Sequence, residues 1–189
     1  MKKMNRREFL ALSGASVALL ALAACGGAPS TPVVPTGKEA ELLAAINKVW
    51  NEKFNAGQVT YEKLTFNQDA VRAVRGYGRV FEKANETPHK LTPSDYAIVL
   101  EESDGFEAEM LKKYGENSLA GAAGVSEPSS ENVVTLECEY SCEDAAVRAF
   151  VEKLLSNSDS RKAEFISVYL PVVQGKTYMT AVVFRNNKA

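Results

Sequence analysis

The sequence predicts an α/β fold in which helices flank a small antiparallel sheet that ends in a C-terminal β-hairpin. Three observations indicate this fold. Apolar residues recur every three or four positions through several segments after residue 38, two runs of β-branched and aromatic residues close the chain, and a glycine-containing turn separates those runs. Helices first and a hairpin last are typical of an α+β or layered α/β/α domain. With 189 residues, 46% of them hydrophobic, one domain with one core is expected.

The first 24 residues have the layout of an export signal. Residues 1–9 are basic and polar, and residues 10–24 form an apolar run that is shorter than the roughly 20 residues of a membrane span. Arg6 and Arg7 stand just before Phe9-Leu10, which resembles the twin-arginine export motif. The alternative is a plain secretory signal in which two arginines are adjacent by chance. In either case residues 1–24 are expected to be a signal peptide.

A lipid anchor is expected at Cys25. The segment Leu22-Ala23-Ala24-Cys25 resembles the bacterial lipobox, which implies that the thiol receives a diacylglycerol and that the chain is cut just before it. Each buried acyl CH₂ group adds about 0.8 kcal/mol, so membrane lipid is the expected partner of Cys25. The alternative is a small-residue cleavage site beside an unmodified cysteine. The protein is therefore expected to be exported and lipid-anchored to the cell membrane, facing outside the cytoplasm.

A tether precedes the folded domain. Residues 25–37 are rich in Pro, Gly, Ser and Thr, a composition that cannot bury a core and stays extended. The domain is expected to span residues 38–189. The chain has a net charge of −2, and removal of its basic leader makes the rest more acidic. Because an acidic surface repels phosphates, no nucleic-acid partner is expected.

Three stretches of residues 38–116 have helical patterning. Residues 38–55 carry an apolar stripe, and Ala56-Gly57 should end that helix. Asn67 is expected to cap a second helix that runs to about residue 84, and residues 91–116 should form one or two more. Residues 117–131 are predicted to be a loop. The stripe of the first helix consists of Leu42, Leu43, Ile46, Val49, Trp50 and Phe54.

The remaining elements lie in the C-terminal third. Residues 133–136 suggest a short strand, and Ser141 is expected to cap a helix with Asp144 three residues further on. Residues 165–173 and 177–184 are predicted strands joined by a turn at residues 174–176. Pro171 has no N–H group to donate to a sheet, so it should lie at an edge or a bulge.

The order of these pieces resembles the CAP superfamily, the cysteine-rich secretory, antigen-five and pathogenesis-related proteins, whose domain is also called SCP. Residues 41–49 are similar to its opening helix, with Asn47 in place, and residues 64–71 to the start of its second helix. Residues 156–161 stand where bacterial members have the turn N-S-P-G-H-R, and residues 175–184 resemble the terminal strand. The resemblance covers about residues 38–184 and implies an α/β/α sandwich with an open cleft.

The resemblance also implies candidate residues for that cleft, where many members hold two histidines and two glutamates, sometimes around a divalent cation. His89 follows the second helix, where the first family histidine falls, and Glu101 stands near the position of a family glutamate. The second histidine is absent, because Ser160 precedes Arg161 where H-R is expected. His89 and Glu101 are therefore ligand-cleft candidates and weak metal candidates. The alternative for His89, between Pro88 and Lys90, is an exposed or capping histidine.

Catalytic chemistry has little support in the sequence. His89 is the only histidine, and no nucleophile-elbow motif or phosphate-binding glycine loop occurs. No catalytic residue and no cofactor are therefore assigned. A catalytic zinc commonly has three protein ligands, so His89 with Glu101 would be an incomplete site.

Two cysteines remain besides the one in the lipobox. Cys138 and Cys142 are expected to form a small disulfide-closed loop, as the oxidising envelope of many bacteria allows. Free thiols are one alternative, and a redox pair at a helix N-terminus is another. Three residues separate the two cysteines, whereas thioredoxin-like motifs have two.

The resemblance implies a binding module outside the cytoplasm, without catalytic activity. Its ligand would be an unidentified molecule at the cell surface: a glycan, a lipid, a peptide or a protein. The first alternative is a metal-assisted hydrolase that uses His89 and Glu101 to hold a divalent cation. The second alternative is a structural or adhesion protein without a small-molecule cleft.

Overall fold

The computed structural model describes residues 35–67, 81–82, 90–91, 112–126 and 134–188. Its helices are α1 (Lys38–Asn55) and α2 (Asp144–Leu154), and a 3₁₀ helix (Ser158–Lys162) follows α2. Residues 81–82 and 112–114 are also helical. The strands are β1 (Thr65–Phe66), β2 (Lys90–Leu91), β3 (Leu119–Ala123), β4 (Val134–Thr135), β5 (Phe165–Tyr169), β6 (Val172–Val173), β7 (Lys176–Thr177) and β8 (Thr180–Phe184).

A four-stranded mixed sheet forms the centre of the described structure. The strand order is β1-β5-β8-β3, with β1 parallel to β5 and the other pairs antiparallel. Two small two-stranded sheets, β2 with β4 and β6 with β7, stand apart from it. The α/β class predicted from the sequence is confirmed, although the parallel β1–β5 pair makes the sheet mixed instead of purely antiparallel.

The first helix follows the predicted pattern closely. It begins at Lys38 and ends at Asn55, and Gly57 follows with a φ of 69°. Its apolar stripe packs against α2 and β5. Four members of the stripe are buried, whereas Phe54 at its end is 37% exposed. The buried members are Leu42, Ile46, Val49 and Trp50. Pro35, which the sequence assigns to the tether, is also buried.

The predicted C-terminal hairpin is confirmed, but its two arms pair in two separate segments. β5 and β8 pair antiparallel from Phe165 opposite Phe184 to Tyr169 opposite Thr180. Pro171 then interrupts the ladder, as a residue without an N–H group should. Beyond it β6 and β7 form a short inner hairpin, whose turn at residues 174–175 has positive φ angles of 49° and 77°. Two successive positive φ angles match the right-handed twist of the flanking strands.

Two sequence predictions are wrong. Residues 119–123, predicted as loop, form β3, because the small side chains of this weakly strand-forming segment fit against the helical layer. The predicted cap at Ser141 is wrong because α2 begins at Asp144 with Glu143 at the N-cap position. Ser141 Oγ instead accepts a hydrogen bond from the backbone N–H of Glu143 at 3.1 Å, which closes a turn just before the helix.

The remaining predictions are tested only in part. The short strand expected at residues 133–136 is present as β4, which pairs with β2. The helices expected over residues 67–84 and 91–116 lie mostly outside the described residues. Within the described parts, residues 81–82 and 112–114 are helical, whereas Leu91 belongs to β2.

The core lies between the sheet and the pair of helices. Both α1 and α2 contact one face of the four-stranded sheet, and they also pack on each other. All five residues of β8 are buried, so side chains cover both faces of this strand. On the side away from α1 and α2, the ring of Tyr114 lies 5.3 Å from that of Phe184 and 5.9 Å from that of Phe165, between ring centroids.

Candidate functional site

The residues that the sequence assigns to a cleft and an anchor are not among those described. His89, Glu101 and Cys25 all lie outside the described residues. The cleft, its metal alternative and the lipid anchor therefore stay predictions. Two other parts of the site predictions are described: the position of Ser160 and the pair of cysteines.

Ser160, which stands where the resemblance expects a second histidine, lies inside the protein. It is 0% exposed, and its hydroxyl donates to the carbonyl oxygen of Ala120 at 2.7 Å. The hydroxyl also faces Gly121 of β3, so closely that a Cβ on that glycine would collide with it. An imidazole in this space would displace β3. Ser160 therefore holds the 3₁₀ helix against the sheet edge, and its side chain does not line an open surface.

Polar side chains of α1 hold the loop that connects this helix to β1. Asn47 makes two hydrogen bonds with the backbone of Leu64, at 3.1 Å and 2.8 Å. The indole N–H of Trp50 donates to the carbonyl oxygen of Tyr61 at 3.0 Å. Thr60 N–H donates to the carbonyl oxygen of Arg161 at 2.8 Å. The loop is thereby fixed between the end of α1 and the 3₁₀ helix.

An open groove lies where this loop meets the end of the chain. Its volume is about 470 Å³, and six residues line it: Thr60, Tyr61, Lys162, Arg185, Asn186 and Asn187. The lining comes from three segments, namely the loop after α1, the end of the 3₁₀ helix and the residues after β8. Tyr61 is 42% exposed although it is a large aromatic residue. The volume falls within the range of about 300–1,000 Å³ that is usual for small-ligand sites.

The groove is positively charged. Lys162 and Arg185 contribute two cations, and no carboxylate belongs to the lining. Arg185 Nη1 pairs with Asp159 Oδ1 at 3.2 Å, whereas no ion pair found among the described residues includes Lys162. Arg185 Nε is buried and has no hydrogen-bond acceptor, the one such side-chain atom found among the described residues. An anion would therefore meet more positive charge here than the local carboxylate neutralises.

Asparagine amides complete the groove wall. Asn187 Nδ2 donates to the carbonyl oxygens of Glu116 and Asn117 at 2.8 Å and 2.9 Å, which fixes the orientation of its side chain. Asn186 Oδ1 accepts from the backbone N–H of Lys188 at 3.1 Å. The amide N–H groups of Asn186 remain as donors on an exposed residue.

Cys142 lies just before α2, whereas Cys138 lies near Lys153 of the last turn of that helix, and both thiols are free in the structure. Cys142 is exposed, and its thiol donates to the hydroxyl of Tyr140 at 3.2 Å. That hydroxyl donates in turn to Glu41 at 3.1 Å, while Lys38 Nζ lies 5.1 Å from the ring centre. Cys138 is half-buried. The expected disulfide between Cys138 and Cys142 is not formed here and stays a prediction.

The surroundings of Tyr140 and Cys138 disfavour the ionised phenolate and thiolate. Hydrogen bonding with Cys142, then partial burial, then the Glu41 carboxylate raise the pKa of the Tyr140 phenol above its usual value. Burial raises the pKa of the Cys138 thiol, and the charge of Lys153 opposes this shift more weakly. A thiol with a raised pKa is a poor nucleophile at neutral pH. The alternative of a redox pair activated at a helix N-terminus gains no support from Cys138.

Contacts between the two helices show their relative direction. Near the start of α1, Glu41 bonds Tyr140, which precedes α2; near its end, Glu52 pairs with Arg148 at 2.6 Å and Lys53 pairs with Glu152. The two helices therefore run in the same direction. With 18 residues, α1 is about 27 Å long. Tyr61 of the groove wall is bonded to Trp50 in the C-terminal half of α1, away from residue 38, where the expected tether joins.

Metal ligands do not cluster in the described structure. Across its five ranges, no group of three or more His, Cys, Asp or Glu side chains could hold a metal ion. Within those ranges there is also no helix with the length and apolar character that a membrane crossing requires.

No family model, curated protein or solved structure matches this chain. The residues that face the groove were not singled out by sequence analysis, because they come from three separate segments. The partial signal was an isolated aromatic residue, Tyr61, outside any apolar stripe.

Proposed function

We propose that this protein is an exported, lipid-anchored domain of the CAP type that binds a ligand outside the cytoplasm and carries out no catalysis. The observation that carries the proposal is the buried Ser160. The resemblance requires a second histidine at this position, and the serine there is committed to a hydrogen bond with Ala120.

The export and anchoring part of the proposal is supported by the N-terminal sequence. Arg6-Arg7 followed by Phe9-Leu10, an apolar run and the lipobox at Cys25 occur in the order that a twin-arginine lipoprotein signal requires. The lipid then holds a folded domain at the membrane surface through residues 25–37.

The sandwich part of the proposal is supported by the packing around the sheet. Helices α1 and α2 cover one face, and the complete burial of β8 requires a second layer on the other. Asn47, the asparagine of the opening helix in the resemblance, joins that helix to the segment before β1. Because Asn47 joins α1 to the segment before β1, an asparagine at this position has a structural role in the fold.

The proposed absence of catalysis is supported by the small number of histidines that could hold a metal ion. His89 is the single histidine of the chain. A family-type metal site uses two histidines, and the hydroxyl of Ser160 faces Ala120 and β3 instead of a solvent-filled space. A binding role needs no such ligand set, and the groove lined by Lys162 and Arg185 offers a surface for it.

Export and lipidation are tested in cells that receive a radiolabelled fatty acid. The wild-type chain should appear in the membrane fraction, labelled and shortened, and Cys25→Ser should lose the label. Replacing both signal arginines (Arg6→Lys with Arg7→Lys) should leave unprocessed protein inside the cell, whereas Lys2→Arg with Lys3→Arg is a matched control that should be exported normally. Unlabelled wild-type protein in the cytosol with its leader intact would refute the proposal.

The non-catalytic part is tested by the metal content of the purified full chain. After dialysis, we expect less than stoichiometric zinc, manganese or nickel in the wild-type protein and no change in His89→Ala. Lys90→Ala serves as a neighbouring control. Stoichiometric metal that is lost in His89→Ala and Glu101→Gln but kept in Lys90→Ala would replace this part of the proposal with a metal-assisted hydrolase.

A further inference from the structure

We propose that the groove lined by Tyr61, Lys162 and Arg185 binds an anionic saccharide, one whose sugar rings carry carboxylate or phosphate groups. The inference rests on the proposed function, since it names the class of ligand that the domain would bind outside the cytoplasm. The groove lining includes neither of the cleft candidates His89 and Glu101, and the inference depends only on described residues.

The charge of the groove selects an anion. Lys162 is exposed and forms no ion pair found among the described residues, and Arg185, which also lines the groove, has one carboxylate partner found there, Asp159. Within the described ranges, Asp159 is thus the one carboxylate found beside two cations of the groove. A negatively charged ligand group would supply a second countercharge. Charge-assisted hydrogen bonds to carboxylate or phosphate are the strong contacts that such cations form.

The other groups of the groove select a saccharide over a simple ion. Tyr61 presents an exposed aromatic ring, which offers an apolar face and a hydroxyl at its tip. The Asn186 amide and the Thr60 hydroxyl add donors and acceptors beside it. A sugar ring matches this set, because it has a C–H face for the aromatic ring and hydroxyls for the amides. A small inorganic ion would leave Tyr61 unused.

The groove is rigid enough to recognise a shape. Hydrogen bonds hold all three wall segments: Trp50 bonds Tyr61 of the loop after α1, Thr60 of that loop bonds Arg161 of the 3₁₀ helix, and Asn187 after β8 bonds the backbone of residues 116–117. A prepared surface loses less conformational entropy when a ligand binds. Its volume of about 470 Å³ exceeds that of an isolated ion.

The location of the groove also suits a polymer outside the cell. Its wall residue Tyr61 is bonded to Trp50 in the C-terminal half of α1, whereas the expected tether joins at the N-terminal end of this helix. A domain held by the tether would therefore present the groove away from its own attachment point. A long saccharide chain could reach it without passing between the domain and the lipid.

The test is calorimetric titration of the full chain in detergent micelles with three probes: tri-galacturonic acid, the neutral trisaccharide maltotriose and inorganic phosphate. We expect tri-galacturonic acid to bind and maltotriose to bind at least tenfold more weakly. Lys162→Ala should lower the affinity about tenfold, because one charge-assisted contact is lost. Arg161→Ala removes the adjacent exposed cation, which does not line the groove, and should change the affinity less than about twofold.

The aromatic contact has its own matched pair. Tyr61→Ala should weaken binding of tri-galacturonic acid, whereas Phe54→Ala removes the other partly exposed ring near the end of α1 and should leave the affinity unchanged. Phosphate that displaces the acidic trisaccharide and binds more weakly alone would support recognition of the anionic group within a saccharide. Unfolding midpoints of all variants should match the wild-type value within a few degrees, which excludes a loss of fold.

Three outcomes would overturn the inference: no binding of tri-galacturonic acid, equal binding of maltotriose, or equal loss in Lys162→Ala and Arg161→Ala. Its failure is distinguishable from failure of the proposed function. A lipid-labelled, exported protein that binds no acidic saccharide keeps the proposed function and loses the groove. A cytosolic, unlabelled protein that binds through Lys162 loses the proposed function and keeps the groove.

Discussion

Asn47 forms two hydrogen bonds with the backbone of Leu64, using both ends of its side-chain amide. Nδ2 donates to the Leu64 carbonyl oxygen at 3.1 Å, and the Leu64 N–H donates to Oδ1 at 2.8 Å. The side chain of Leu64 is 0% exposed, so this pair seats a core residue just before β1 begins. One polar residue of α1 thus sets where the chain leaves the helical layer and joins the sheet.

We expect Asn47→Ala to lower the free energy of unfolding by about 2 kcal/mol, because two backbone groups of Leu64 lose their partners. Urea unfolding followed by circular dichroism measures it. Asn51→Ala is the control, since its hydrogen bonds with the side chains of Glu62 and Asn55 are both exposed and their loss should cost less than about 0.5 kcal/mol. Equal costs for the two variants would show that the Asn47–Leu64 pair does not fix the loop.

Gly121→Ala should destabilise the protein by about 2 kcal/mol or more, because its Cβ would meet the Ser160 hydroxyl and lie 2.7 Å from the Leu154 carbonyl oxygen. The backbone of β3 would have to move to accommodate it. The shift in urea midpoint at an unchanged slope measures the loss.

Gly57→Ala provides the comparison for that variant. Gly57 has open space for a Cβ but a φ of 69°, so alanine there should cost roughly 1 kcal/mol from backbone strain alone. A cost for Gly121→Ala no larger than that for Gly57→Ala would mean that the contact between β3 and Ser160 is loosely packed.

The ion pairs of Arg148 should make stability depend on pH in the acid range. Hydrogen bonding with Arg148 lowers the pKa of both Asp144 and Glu52 in the folded protein. A carboxyl with a lowered folded pKa contributes stability above its unfolded pKa and loses that contribution as the pH falls through the folded value. The unfolding midpoint in urea should therefore decrease between about pH 5 and pH 3, where carboxyls protonate.

Arg148→Gln should flatten that acid slope, while Arg161→Gln, which removes an exposed cation not found in any described ion pair, should leave the slope as in the wild type. Both slopes come from urea titrations at half-unit pH steps. A wild-type slope in Arg148→Gln would assign the acid sensitivity to other carboxyls.

The two thiols should react at different rates in the reduced protein. Cys142 is exposed, whereas Cys138 is half-buried and burial raises the pKa of its thiol, so less thiolate is present at pH 8. Iodoacetamide labelling followed by peptide mass spectrometry should show Cys142 modified first. In Cys142→Ser only the slow modification of Cys138 should remain. Equal rates for both cysteines would contradict the burial of Cys138.

The same labelling tests the predicted disulfide. If Cys138 and Cys142 pair in the oxidised protein, neither should react until a reductant is added, and the hydrogen bond from Cys142 to Tyr140 must then be lost. The test uses protein isolated from the envelope without reductant, which preserves the native oxidation state of the two cysteines. Full labelling of that sample would leave the free thiols as the native state.

Local patterns were sufficient for the elements whose neighbours in sequence supply the signal. The stripe of α1 predicted Lys38–Asn55 correctly, and the β-branched run of β5, the turn at residues 174–175 and the strand β8 predicted the hairpin. The pattern failed at β3, whose Leu-Ala-Gly-Ala-Ala sequence has low strand propensity. That segment is a strand because it pairs with β8 in the tertiary structure. The space beside Ser160 leaves room for a glycine at residue 121 but not for a Cβ.

The sequence by itself determined the leader pattern, the candidate anchor at Cys25, the amphipathic faces of α1 and α2, and the α/β class, because each depends on residues close together in the chain. Only the tertiary structure decided that Ser160 is buried and that Lys162, Arg185 and Tyr61 share one groove. These residues belong to segments that are far apart in the chain and adjacent in the folded structure. No periodicity along the chain encodes which loops converge at its end.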